Sequence, residues 1–359
     1  MSSVVRYLFG PTLLRLNLKP GSTPVDYQAL SLERWGDTVL SSVSSTAKLL
    51  LYVSPIVIPW AISRGWASSE GYTLISKFLV GVGVVVAGAY IIRTYARLSN
   101  PVYRNFISVL NSAQASYTSS TKRELSEYDF DFSAWPVDFD VRQETGDVSK
   151  PSIYNTNRLN NTRIEGLYDI LAWCMTHSFG ISLVYPGSMS LMKMMLERPL
   201  LEGRSKLLEQ GGERSKVVSG DGNHIDTMFV DMRKKSSNGN GDTLVICCEG
   251  NAGFYEIGIM STPLSCGYST LGWNHPGFYG SSGTPYPEQE TMAVDAVMQF
   301  AIHKLGFTPE NIIVTGWSIG GFSATWLAMH YPDIAGLVRT TATVYGSNWT
   351  LLGQTTSFY

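Results

Sequence analysis

Residues 311–330 read NIIVTGWSIGGFSATWLAMH. Ile312 to Thr315 is a short β-branched run of the kind a buried strand shows, and a helical pattern follows from Gly320 to His330. Between them stands Gly316-Trp317-Ser318-Ile319-Gly320, with glycines two before and two after a serine. In strand–turn–helix context this spacing predicts a nucleophile elbow. The serine must occupy a strained angle on a very sharp turn, and glycine at 316 and 320 removes Cβ atoms that would collide there. Ser318 is therefore the candidate catalytic nucleophile. The Ile319 amide, at the start of the helix, points to where an oxyanion would form.

Upstream, short β-branched runs alternate with helical patterns from about Ser219, which predicts a mainly parallel sheet flanked by helices. The strands read Ile225–Val230, Thr243–Cys248 and Ser269–Trp273, and a helix covers 292–305. TLVICC, a continuous apolar run, suits a strand covered on both faces. It leads into Glu249-Gly250-Asn251-Ala252-Gly253, whose small residues let the N–H of Asn251 or Ala252 approach a carbonyl oxygen. Asn251 and Ile319 are thus the expected oxyanion donors. A third loop, residues 274–283, follows Trp273 on the same edge of the sheet; its His275 is expected to order that loop by hydrogen bonds. Cys247 and Cys248 read as reduced core residues.

The chain has 359 residues, a net charge of −2 and only 16% charged residues, against the usual figure of roughly 25%. Near-neutral charge argues against nucleic-acid binding, and four cysteines do not make a disulfide scaffold. The missing charge lies near the N-terminus. Residues 49–63 (LLLYVSPIVIPWAIS) and 78–92 (FLVGVGVVVAGAYII) carry none. With some extension each approaches the ~20 residues of a membrane helix. They predict a transmembrane helical hairpin, with helices over about 46–63 and 73–92, in which Gly81 and Gly88 allow close approach. Basic residues on the outer flanks put both termini in the cytosol.

VICCEGNAGFYE (245–256), LGWNHPGF (271–278), QFAIHKLGF (299–307) and GWSIGGF-x-ATW (316–326) resemble the α/β-hydrolase-domain-containing 16 family, as do YDFDF-SAWPVDF (128–139), YPGS (185–188) and the hairpin. The resemblance covers roughly residues 1–338. It implies an endoplasmic-reticulum membrane enzyme with a cytosolic catalytic region and no metal or other cofactor. Such an enzyme is a serine lipase that releases fatty acid from phosphatidylserine, and family members are also described as acting on monoacylglycerol. Ser318 takes the family's nucleophile position.

A hydrolase of this fold takes its acid and then its histidine from sequence after the serine. Residues 319–359 contain one acid, Asp333, and one histidine, His330. His330 lies on the same predicted helix as Ser318, about 18 Å along it, too far to take the serine proton. Residues 340–359 carry no charge and lose the family's texture. The expected architecture is therefore a membrane anchor (1–100), a polar linker and helical region (101–217), an incomplete α/β-hydrolase core (218–340) and a non-family tail (341–359). This is a C-terminally truncated form, expected to be inactive for lack of the triad aspartate and histidine. A reading of another class is a non-catalytic membrane protein that binds lipid or regulates the full-length enzyme.

Overall fold

The computed structural model describes residues 3–17, 23–66, 68–144, 175, 180–236 and 239–340. The chain forms two compact units, residues 1–16 with 25–130, and residues 17–24 with 131–359.

In the first unit two long helices, Ser31–Ser63 and Ser69–Ser99, follow one another, both longer than the apolar stretches alone suggest. The polar extension has a structural use. Arg97 Nε lies 2.9 Å from Glu33 Oε1, with both side chains buried, and Arg97 Nη1 donates to the Gly10 carbonyl at 2.8 Å. Arg93 Nε pairs with Asp37 at 3.1 Å. These contacts join the start of one helix to the end of the next, so the pair runs antiparallel. Pro101–Ala115 then packs Tyr103, Phe106, Ile107 and Leu110 into a small core, under the antiparallel sheet β2-β1-β3 (β1 Leu13–Leu16, β2 Val25–Asp26, β3 Tyr128–Phe130).

The expected hairpin is present as two antiparallel helices, and one of its features is corrected. Among the described residues one helix, Ser69–Ser99, is long and apolar enough to cross a membrane, and only 6% of its most apolar window is buried. A soluble core helix would hide most of that face. The first helix carries its charges, Glu33, Arg34, Asp37 and Lys48, ahead of the uncharged run 49–63. What is corrected is the close approach, which lies elsewhere. A Cβ on Gly81 or Gly88 would meet nothing within 4 Å, whereas one on Gly36 would lie 3.0 Å from Arg93 Cβ and 3.1 Å from the Ala89 carbonyl oxygen. Gly36→Val is therefore expected to force these helices apart and lower stability by about 1–3 kcal/mol. Thermal unfolding of the detergent-solubilised protein, followed by helical circular dichroism, measures it.

The second unit is built on a seven-stranded sheet in the order β10-β9-β7-β8-β6-β5-β4. Its strands are β4 Phe139–Asp140, β5 Gly212–Val218, β6 His224–Val230, β7 Leu244–Cys248, β8 Ser269–Trp273, β9 Ile312–Trp317 and β10 Gly336–Thr340. β10, β9, β7 and β8 are mutually parallel, and β6 joins β8 and β5 antiparallel. This is the mixed sheet of an α/β-hydrolase. Helices Pro287–His303 and Gly320–His330 bury Val294, Val297, Phe300, Ala324 and Leu327 against Ile246, Leu271 and Val314. The sheet begins well before residue 218, because β4 and β5 belong to it. The 341–359 tail, residues 145–163 and His177 lie outside the described residues.

Candidate active site

β7 and β9 lie side by side and parallel, with Cys248 opposite Gly316, so both strands end on the same edge of the sheet. Beyond β9 the chain turns at Ser318, whose φ is +54°. A non-glycine residue in that region is strained, and such strain persists only where the surroundings impose it. Here two glycines impose it. A Cβ on Gly316 would sit 2.8 Å from the Gly320 carbonyl oxygen and 2.9 Å from Ala324 Cβ. One on Gly320 would sit 2.3 Å from both the Cys248 and the Glu249 carbonyl oxygens. The helix can therefore start only with no side chain at 320. Ser318 is exposed, and Trp317 and Phe322 beside it are 41% and 40% exposed, an apolar surround to a polar group.

The turn after β7 comes directly to this serine. A Cβ on Gly250 would lie 3.7 Å from Ser318 Cβ, and the Gly253 N–H closes the turn on the Gly250 carbonyl at 2.9 Å. Asn251 is exposed, and its carbonyl accepts from the Gly187 N–H at 3.2 Å. Ile319 is the residue before the helix and half-buried against Tyr185, Leu200, Phe254 and Phe278. First-turn amides lack partners within their own helix. Ser318, Asn251, Ile319, Gly316 and Gly320 are thus brought together at one sheet edge.

Glu249 supports the turn from below. Its carboxylate accepts from the Ile259 N–H at 2.8 Å and fills the space over Gly253 and Gly258. Burial raises its pKa to about 7 against the lowering effect of that N–H. His275, fully buried, contacts the Glu290 carboxylate at 2.8 Å and the Glu249 carbonyl at 2.9 Å. Burial opposes its charged form, but Glu290 and the Glu249 carbonyl outweigh that and raise its pKa. With both nitrogens engaged it has no free lone pair to offer Ser318.

His330 is the last residue of the 320–330 helix, stacked on Trp326 with ring centroids 3.8 Å apart, and its Nδ1 lies 2.8 Å from the Trp326 carbonyl. Asp333 is exposed beyond it. Neither is brought to Ser318. Cys247 and Cys248 are buried in the sheet. A cavity of about 710 Å³ between the Ser190–Glu209 helix and residues 255–265 is lined by none of Ser318, Asn251 and Ile319. Sequence reasoning missed Glu290, which precedes the helix expected at 292–305 but stands in the first turn of the observed helix, and Arg339. Arg339 pairs with Gly316 across β9 and β10, and its Nε would lie 3.4 Å from a Cβ on Gly321.

Comparison with known proteins agrees with this architecture. Residues 2–131 match the family model described as phosphatidylserine lipase ABHD16 N-terminal domain, and residues 243–355 match that of the alpha/beta hydrolase fold. The chain is 41% identical over 329 residues to human phosphatidylserine lipase ABHD16A, a match covering 87% of this chain and 59% of that protein; the mouse protein gives the same figures. An uncharacterized Caenorhabditis elegans protein is 35% identical over 344 residues, covering 94% of this chain and 67% of the other. The chain thus spans 59% of the length of the mammalian relatives it matches. Among solved structures, an alpha-beta hydrolase from Vibrio vulnificus is 16% identical with a TM-score of 0.32, covering 44% of this chain and 55% of its own. The Pyrococcus furiosus esterase Pf2001 is 18% identical with a TM-score of 0.30, covering 34% and 48%.

Proposed function

The chain belongs to the ABHD16 family, and from that premise we propose that it carries the nucleophile half of a serine lipase acting on acyl esters of phosphatidylserine, or of monoacylglycerol, at a membrane. The observation that carries this is the exposed Ser318 at φ +54°, with the Gly250 turn against it. In this reading Ser318 Oγ attacks the ester carbonyl carbon, and the carbonyl electron pair moves onto oxygen between the Asn251 and Ile319 amides. As that pair returns, the bond to the lipid alcohol breaks. The lysolipid or glycerol leaves with a proton, and water then cleaves the acyl-serine to free fatty acid. The N-terminal helical hairpin anchors the protein in the endoplasmic-reticulum membrane with the catalytic unit on the cytosolic side.

The mechanism also needs a proton acceptor and its acid partner. Among the described residues His275 has both nitrogens engaged, and His330 stands at the far end of the helix that follows Ser318. The base and acid are therefore proposed to come from outside the described residues, as from the length of the relatives that this chain does not span. The 359-residue chain alone should show only the residual rate that donors and binding supply, about 10³–10⁴ over water, while a form carrying the missing groups should be faster by orders of magnitude.

Release of fatty acid from phosphatidylserine vesicles measures this. Ser318→Ala should abolish it in the longer form, and persistence of full turnover in that variant would sink the assignment. The lack of a base at Ser318 among the described residues also favours a second reading, a lipid-binding regulator. That reading expects vesicle binding without turnover in the longer form too.

A further inference from the structure

The Glu290 and His275 side chains are 0% and 1% exposed, and neither has a place in the chemistry above. His275 Nε2 lies 2.9 Å from the Glu249 carbonyl. A carbonyl only accepts, so Nε2 carries a proton and donates. Nδ1 then faces the Glu290 carboxylate at 2.8 Å, and that contact also needs a proton. The arrangement is a charge-assisted bridge with imidazole donors at both ends.

Its position gives it a use. The Glu249 carbonyl that His275 holds is one of the two oxygens 2.3 Å from where a Cβ on Gly320 would be, so it lies against the elbow itself. The next residue, Gly250, opens the turn that carries Asn251. Glu290 Oε2 also lies 3.4 Å from Ser323 Oγ, inside the helix that follows Ser318. The pair therefore ties the end of β7, the loop after β8 and both flanking helices at one buried point. Glu290 Oε1 has no partner among the described residues, so the carboxylate is held by these contacts on one side only.

We propose that the buried Glu290–His275 pair is a positioning clamp, which fixes the Glu249 carbonyl and so holds the Asn251 amide facing the same point as the Ile319 amide. The clamp rests on the reading of Ser318 as nucleophile. Its two residues touch neither substrate nor serine.

The test uses the full 359-residue chain in detergent, with amide hydrogen exchange read peptide by peptide. His275→Gln and Glu290→Gln should each speed exchange of residues 249–254 by about tenfold, the effect of one lost charge-assisted hydrogen bond. The core variant Phe307→Leu should instead move exchange across the whole unit. A role in general stability alone would make the three variants alike.

The unmutated protein gives a second readout. The raised pKa of His275 means the bridge is complete below the ordinary value near 6.5 and is lost as pH rises through the folded value. Protection of 249–254, corrected for intrinsic exchange, should fall along that step. The other titratable groups facing His275 are Glu290, Glu249 and Tyr185. Glu249→Gln should leave the step in place, and Glu290→Gln should remove it. Unchanged exchange of 249–254 in both clamp variants, or a flat pH profile in the unmutated protein, overturns the clamp. Failure of Ser318 in the lipase assay would sink the nucleophile reading and leave these exchange results as they are.

Discussion

Gly320→Ala should disrupt the second unit more than any other single-methyl change at the elbow. The added Cβ would sit 2.3 Å from the Cys248 and Glu249 carbonyl oxygens. Both oxygens are backbone, at the end of a strand pinned between β8 and β9, with Ile246 paired to Leu271 and Val314 and Cys248 to Gly316. No side-chain rotation relieves the clash. The helix must lift, β7 must move, or Ser318 must leave its strained angle. Overpacking of this kind costs typically about 1–3 kcal/mol and occasionally more, and fixed oxygens on two sides put Gly320 at the upper end.

Gly316→Ala meets the Gly320 oxygen at 2.8 Å and Ala324 Cβ at 2.9 Å. There the helix can yield by a few tenths of an ångström, so the loss should be smaller. Urea unfolding of the two variants gives the order directly. Equal losses would mean that the helix start, and not β7, absorbs the strain. The same clash explains why position 320 must lack a side chain whether or not the enzyme is active.

The elbow was legible in the sequence because its constraints are local. A strand, a serine and glycines at fixed offsets describe one backbone bend. TLVICC was legible because a strand covered on both faces must be apolar throughout. The other side of the sheet was legible only in part: Ile225–Val230 was read as a strand and is β6, but β5 buries Arg214, Ser215 and Lys216, the polar residues of a surface segment, against Asp226 and Thr227 of β6. Their charges pair across strands, and a one-dimensional pattern cannot show which partner meets which. The same limit applies to the helices of the first unit. Gly81 and Gly88 had the right spacing for contact, but Gly36 makes it, because the Arg97–Glu33 and Arg93–Asp37 ion pairs set which faces meet. Glu290 was hidden for a different reason. It lies just before the helix expected at 292–305, where an acid draws no notice, and only the fold brings His275 to it.

Asp226→Ala should be the most damaging change away from the elbow. Its carboxylate takes two donors from Arg214, Nε at 2.9 Å and Nη2 at 2.6 Å, and the Tyr255 hydroxyl at 3.2 Å. Arg214 and Asp226 are 3% and 0% exposed as side chains. Removing one partner of such a pair leaves a guanidinium charge in the interior without its carboxylate, which costs about 3–5 kcal/mol. The Phe132 ring, 4.5 Å from the Arg214 guanidinium, offsets only a small part of that.

Replacing both members, as Asp226→Leu with Arg214→Met, removes the stranded charge as well as the pair. Pairs exchanged for apolar residues of similar volume are often neutral, so the double variant should be more stable than Asp226→Ala. A double variant no better than the single one would show that shape, and not charge, is what the pair supplies. Asp226 also donates its backbone N–H to the Ser281 hydroxyl oxygen, and its carbonyl accepts from the Asn274 N–H. The loop that carries His275 is thus registered on β6 by bonds to the Asp226 backbone, which the double variant keeps. Asp226→Ala should therefore loosen residues 274–283 through unfolding of the whole sheet, whereas His275→Gln should loosen residues 249–254 while the sheet stays intact. Exchange measured on both peptides separates a failure of the scaffold from a failure of the clamp built on it.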